Sequence, residues 1–186
     1  MTADQTACSA IIAEETPDAA VISNLGAASY HLITAGDRER NFYMTGHMGG
    51  TTPMGLGLAL AIDDPVTVID GDGSLLMSLG TLSTVAAADP ANLTIVLMDN
   101  GVFETTGGQP TLSSHVDFAA VAEDCGLAAF HADSETEFRA AYGEAAAHEG
   151  PAVVVCEVSP DTPEDHPPLD YSHAYQKHRF RSAVRE

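Results

Sequence analysis

Val66-Thr67-Val68-Ile69-Asp70 is an apolar, β-branched run that stops at Gly71-Asp72-Gly73-Ser74, and Leu93-Thr94-Ile95-Val96-Leu97-Met98 stops in the same way at Asp99-Asn100-Gly101. Runs this short, flanked by turn residues, read as buried strands. The segment between them is long enough for a helical crossover, which makes the two strands parallel and neighbouring. Their carboxyl ends then lie about 5 Å apart on one edge of the sheet. Ligands of open α/β sheets bind at that edge. Asp72, read as a solvated loop carboxylate, and Asn100, 28 residues on, thus become two hard oxygen donors aimed at one point.

Such a pair suits a magnesium ion carrying a diphosphate, because magnesium takes about six oxygens, few from protein and the rest from phosphate and water. Gly71 and Gly73 leave room for a close backbone approach, and Ser74 at a helix start can donate to a phosphate oxygen. A lone Gly-Asp-Gly-Ser can equally be a plain strand-ending turn. The asparagine closing the next strand is what favours the ligand reading.

The rest of the chain alternates in the same rhythm. Residues 3 to 15 read as a helix, with Ala7, Ala10, Ile11 and Ile12 at helical spacing. Ala20 to Ser23 is a short strand and a helix follows to about Gly36. Pro53 to Ile62 is a small-residue helix whose Gly55 and Gly57 would weaken it in isolation, and which we read as packing devices against the sheet. Phe118 to Cys125 is a helix, Leu127 to His131 a strand, and Pro151 to Val158 the last strand. Ser134 to His148 is a helix with Ser134 and Glu137 in capping-box spacing. This predicts one α/β domain over residues 1–158, a doubly wound, mainly parallel sheet with helices on both faces. Residues 159–186 form a proline-rich and then basic tail holding Lys177, Arg179, Arg181 and Arg185, four of the seven basic residues. We read it as a solvated helix docked on this or another acidic subunit; gripping an anionic substrate is the alternative.

With 186 residues, 45 % of them hydrophobic, the chain can bury a sizeable core. No apolar run reaches the length of about 18 residues that a membrane helix needs. The start, Met1 to Gln5, lacks the basic and apolar regions of a signal peptide. Cys8, Cys125 and Cys156 form no metal-binding pair and read as buried filler. These features predict a cytoplasmic protein. Twenty-seven acids against seven Lys plus Arg give a formal charge of −20. Such a surface repels nucleic acid and anionic membranes. It is best tolerated where salt screens it, so we read a salt-adapted, halophilic cytoplasm; an acidic subunit of a mesophile is the alternative.

The Gly-Asp-Gly and the downstream asparagine resemble the fingerprint of the thiamine diphosphate (ThDP) enzymes: GDG, a spacer of this length, then a pair usually written Asn-Asn. Here the pair is Asp99-Asn100, with the metal-binding member intact. The resemblance implies magnesium ligands Asp72, Asn100 and the backbone carbonyl of Val102, with Gly71, Gly73, Ser74 and Thr105 at the cofactor. Arg40 to Met44, Gly46-His47-Met48-Gly49, Asp99-Asn100-Gly101 and Thr106-Gly107-Gly108-Gln109-Pro110-Thr111 are similar to the sulfopyruvate decarboxylase β subunits and the C-terminal half of the phosphonopyruvate decarboxylases. In that family a bulky side chain wedges the cofactor into its bent form, and Met48 occupies its position; ordinary core packing is the other reading of a methionine here. The Gly46 carbonyl matches the acceptor of the cofactor's 4′-amine.

The same resemblance makes this a β subunit acting with a pyrimidine-domain α subunit, whose glutamate holds N1′ of the cofactor. The chain is too short to carry that second domain, and the partner is expected also to cover the apolar face around Phe42, Tyr43 and Met44. The substrate implied is a small anionic 2-oxoacid with a 3-sulfo or 3-phospho group, decarboxylated to an aldehyde by a hetero-oligomer. His47 stands where relatives often have serine; it can donate to a substrate or supply a proton, or simply face the subunit interface. Glu104 departs from the commoner glycine and leaves the substrate open, since a carboxylate repels an anion. Further readings are a 2-oxoacid:ferredoxin oxidoreductase β subunit, an acetolactate-synthase-like ligase, and a ThDP-binding scaffold without catalysis.

Overall fold

The computed structural model describes residues 2–163 and 165–185; Met1, Glu164 and Glu186, which belong to the N-terminal and tail readings, lie outside the described residues. Asp4 caps α1 (Gln5–Glu15) by accepting the Ala7 N–H at 2.7 Å. β1 (Ala20–Ser23), α2 (Ala27–Ala35), β2 (Asn41–Tyr43) and α3 (Thr51–Ala59) follow. Next come β3 (Val66–Gly71), α4 (Asp72–Met77), α5 (Thr81–Ala88) and β4 (Leu93–Asp99). A two-strand ribbon, β5 (Val102–Phe103) and β6 (Gln109–Pro110), leads to α6 (Phe118–Asp124), β7 (Ala128–Ala132), α7 (Glu135–Ala146), β8 (Ala152–Glu157) and α8 (His173–Ala183).

Six strands form one parallel sheet in the order β2-β1-β3-β4-β8-β7. The central strands β3 and β4 are buried along almost their whole length, which is why both read as continuous apolar runs rather than alternating ones. Successive side chains still point to opposite faces. Ile69, Val96 and Val154 pack with α1, α2 and α7, whereas Val68, Ile95, Leu97 and Val155 pack with α3, α5 and α6. The crossover between β3 and β4 is helical as expected, broken into α4 and α5 at Ser78 to Gly80.

Some boundaries differ from the sequence reading. The helix expected from Pro53 to Ile62 begins at Thr51 and ends at Ala59. Proline is tolerated in a first turn and need not open it, and beyond Ala59 the chain tightens, Ala61 N donating to Leu58 O at 2.8 Å. Gly55 is the packing device expected: a Cβ there would lie 2.0 Å from Val68 Cγ2. Gly57 is not, since it faces open space. Ser134 caps α7 by accepting from Glu137 N, but the reciprocal Glu137 bond goes to Asp133 N rather than to the cap residue.

The apolar stretch Phe42 to Met44 is the larger correction. We expected a partner to cover it, but α8 of the same chain does so. Phe180, 6 % exposed, packs on Phe42 with ring centroids 5.3 Å apart, alongside Ala20, Ile22, Met44 and Met54. Gln176 Nε2 donates to the Tyr43 carbonyl at 2.6 Å, on the open edge of β2. Asp37 fastens the helix, accepting from Arg179 Nη2 at 2.9 Å, Tyr171 OH at 2.7 Å and Tyr43 OH at 2.8 Å.

Candidate cofactor site

The order of the sheet reverses between β1 and β3, which opens a crevice beyond their carboxyl ends. Asn24 follows β1, Asp72 follows β3 and Asn100 follows β4, and Gly71 pairs with Met98 in the β3–β4 register. The cleft there is lined by Asn24, Met48, Gly71, Asp72, Gly73, Ser74, Asn100, Val102, Glu104 and Thr105, with Gln5 and Met98 among its other walls. Residues from widely separated parts of the sequence thus meet at one sheet edge.

Asp72 was expected to be a solvated loop carboxylate. Instead it opens α4, is 2 % exposed and accepts a hydrogen bond from Thr111 Oγ1. Burial pushes its carboxyl above the ordinary value and the charge of Asp99 adds to this, against the Thr111 bond. No described Lys or Arg forms an ion pair with it. A buried, unpaired carboxylate of this kind is stabilised by a cation. Asn100 Oδ1 accepts only the Val102 N–H, at 3.1 Å, among the described bonds. Val102 and Pro110 form a non-hydrogen-bonded pair of the ribbon, flanked by the Thr111 N–H to Gly101 carbonyl bond at 2.9 Å, so the Val102 carbonyl points away from the ladder and accepts none of the described bonds. A carboxylate, an amide oxygen and a free carbonyl are the hard donor set that magnesium prefers, and the residues present fit that ion.

Gly73 is required by packing: a Cβ there would lie 2.5 Å from Phe103 Cε1 and 3.0 Å from Thr111 Cγ2. Ser74 is 1 % exposed, and its hydroxyl is engaged already: its Oγ accepts the Gly49 N–H at 3.0 Å and its side chain reaches Asp70. Asp70, which the sequence reading left inside a strand, is fully buried. It accepts from Thr52 Oγ1 at 2.8 Å and Gly71 N at 3.0 Å, and burial raises its carboxyl despite these bonds. It therefore fixes α3, the Gly71 turn and, through Ser74, the loop that carries Met48.

Met48 lines the cleft from that loop. Gly46, with φ of +67°, lines an adjoining hollow that shares Leu25 and Thr105 with the cleft. His47 is not on the cleft wall; it is exposed, its ring lying against Gly50. Glu104 is on the wall, held by Asn100 Nδ2 at 2.8 Å and by Thr162 Oγ1. Sequence reasoning missed Asn24, which accepts from Thr51 Oγ1 at 3.2 Å, as well as Gln5 and Asp70. The Asn-Leu-Gly turn after β1 was the available signal for Asn24.

Residues 22–156 match the family described as thiamine pyrophosphate enzyme, C-terminal TPP binding domain, and the chain belongs to this family. Among individual relatives, the sulfopyruvate decarboxylase subunit beta of Methanococcus maripaludis is 35 % identical over 176 residues, covering 95 % of each chain. A phosphonopyruvate decarboxylase of Streptomyces hygroscopicus is 48 % identical over 151 residues, 81 % of this chain but 38 % of the relative. The chain therefore spans well under half the length of that protein. In fold it is similar to the solved benzoylformate decarboxylase from Polynucleobacter necessarius, with a TM-score of 0.74 at 18 % identity over 88 % of this chain and 34 % of the other.

Proposed function

We propose that this chain is the pyrophosphate-binding β subunit of a ThDP- and magnesium-dependent 2-oxoacid decarboxylase, most like the sulfopyruvate enzymes, which would convert sulfopyruvate to sulfoacetaldehyde and carbon dioxide. The observation that carries the reading is the end-to-end match to a β subunit, 95 % of both chains, over a sheet edge where Asp72 and Asn100 line one cleft. The higher identity to the phosphonopyruvate enzyme favours a second reading, a 3-phosphono substrate.

In this reading Asp72, Asn100 and the Val102 carbonyl hold the magnesium ion, and Gly71, Gly73, Ser74 and Thr105 shape the diphosphate cleft. Met48 is the wedge under the cofactor and the Gly46 carbonyl an acceptor for its amine. When bound, the cofactor supplies the electron sink that lets a 2-oxoacid lose carbon dioxide. Both charged side chains that line the described cleft, Asp72 and Glu104, are carboxylates. Cations for an anionic substrate therefore come from the α subunit, which also supplies the N1′ glutamate. His47, exposed beside the Met48 loop, is read as facing that subunit or its bound substrate. Residues 1–158 form the binding domain and 159–186 its tail, and the charge of −20 fits a salt-rich cytoplasm.

The test is calorimetry with ThDP and magnesium, then a carbon dioxide assay on the complex with its co-expressed partner, offering sulfopyruvate and phosphonopyruvate side by side. Cofactor binding without release of carbon dioxide from any 2-oxoacid would remove the decarboxylase reading and leave a binding subunit.

A further inference from the structure

Asn100 is held from two sides. Its Nδ2 donates to Glu104 Oε2 at 2.8 Å, and its Oδ1 accepts the Val102 N–H at 3.1 Å. An amide turned over about its terminal bond would exchange these atoms. Nδ2 would then oppose the Val102 N–H, donor against donor, and Oδ1 would oppose the Glu104 carboxylate, acceptor against acceptor. The flip is therefore disfavoured twice. Glu104 is itself not free to move away, because its other oxygen accepts from Thr162 Oγ1 in the segment after β8. No described Lys or Arg forms an ion pair with Glu104, so its carboxylate is committed to these two neutral donors.

We propose that Glu104 is a positioning residue: it fixes the orientation of the Asn100 amide so that the oxygen is presented to the metal, and Thr162 holds Glu104 in that task. This rests on the reading above that Asn100 is a magnesium ligand. Of the side-chain ligands, Asn100 is the one that needs such a partner. A carboxylate offers oxygen whichever way it turns, whereas an amide offers oxygen on one side and a donor on the other. Partners behind a ligand commonly set metal affinity by about 10- to 100-fold. The arrangement also links the tail to the cleft, since Thr162 and Asn100 grip opposite ends of one carboxylate.

The test uses the complex with its partner and ThDP, titrated calorimetrically with magnesium, comparing wild type with Glu104→Ala, Glu104→Gln, Asn100→Ala and the double variant Asn100→Ala/Glu104→Ala. Glu104→Ala should weaken magnesium binding by about 10- to 100-fold. Glu104→Gln keeps a carbonyl acceptor for Nδ2 and should stay within a few-fold of wild type. The double variant should bind no more weakly than Asn100→Ala alone, since the two residues act through one bond. Equal losses in Glu104→Ala and Glu104→Gln would show that charge and not orientation matters, and would overturn the proposal. Additive losses in the double variant would overturn it too, as would wild-type affinity in Glu104→Ala. If wild type itself binds no magnesium, the metal-site reading falls and takes this one with it; if wild type binds and Asn100→Ala does not, only the Glu104 result is at stake.

Discussion

Replacing Asp37 by Asn should loosen α8 while leaving the sheet intact. The carboxylate accepts from Tyr43 OH, Tyr171 OH and Arg179 Nη2, and Arg179 also lies over the Tyr171 ring at 5.3 Å. The Arg179 side chain is 9 % exposed and that of Asp37 29 %. A hydrogen bond to a charged group contributes roughly 1.5–3 kcal/mol when shielded, and partial exposure of the carboxylate discounts that. We expect a loss of about 1–3 kcal/mol, confined to the docking of α8 because so few residues join it to the sheet. Hydrogen exchange at residues 173–183 should then quicken by roughly 5- to 150-fold, while β3 and β4 exchange as before. Acid should act in the same way. Burial raises the Asp37 carboxyl, but its bonds to Arg179, Tyr171 and Tyr43 outweigh that and hold it below its ordinary value of 3.8. A depressed folded value means that the stabilisation is present above the ordinary value and is lost as the pH falls through it toward the folded one. Wild-type α8 should therefore detach on acidification below about pH 4, and the Asn variant should lack that step. Unchanged exchange at α8 in the variant, or equal acceleration across the whole sheet, would refute the reasoning.

Three further expectations follow from the site. Asp72→Ala should abolish magnesium-dependent ThDP binding, measured by calorimetry, yet keep the melting temperature within a few degrees, because burial disfavours the charge that is removed. Met48→Ala should cut turnover far more than ThDP affinity, and equal losses in steady-state and binding measurements would mark it as ordinary packing. The chain purified alone at high salt, saturated with ThDP and magnesium, should release no carbon dioxide from 2-oxoacids until the α subunit is added.

The central strands were legible because β3 and β4 are buried on both faces, so composition alone marked them. Asp72, Met48, Asn100, Val102, Glu104 and Thr105 do line one cleft, a convergence that strand adjacency and the family resemblance anticipated. Asn24 had only the Asn-Leu-Gly turn to mark it, and Gln5, at the start of α1, had no local mark; the packing order of the elements brings both to the cleft, and no local pattern encodes that order. Asp70 was hidden for another reason. A carboxylate within a strand looks like the strand's end, and only the structure shows it bonded to Thr52 and Gly71 beneath the cleft. That the basic tail docks as a helix on an acidic part of this chain was legible from its charge, and Arg179 does pair with Asp37; that it covers Phe42 was not, because α8 buries only Gln176 and Phe180, too sparse a signal for an amphipathic stripe in so polar a helix.

The cover that α8 lays over β2 also bears on how the protein is made. Gln176 meets Tyr43 across a separation of 133 residues, and Arg40 Nη1 meets the Ala183 carbonyl across 143. During synthesis β2 therefore emerges long before the helix that shields it. In that interval its outer backbone groups and Phe42 are open to pairing with another chain, the hazard common to uncovered sheet edges. A chain cut short between Glu157 and His173 would carry the complete sheet with its β2 border uncovered. Such fragments would self-associate although every strand of the sheet is present.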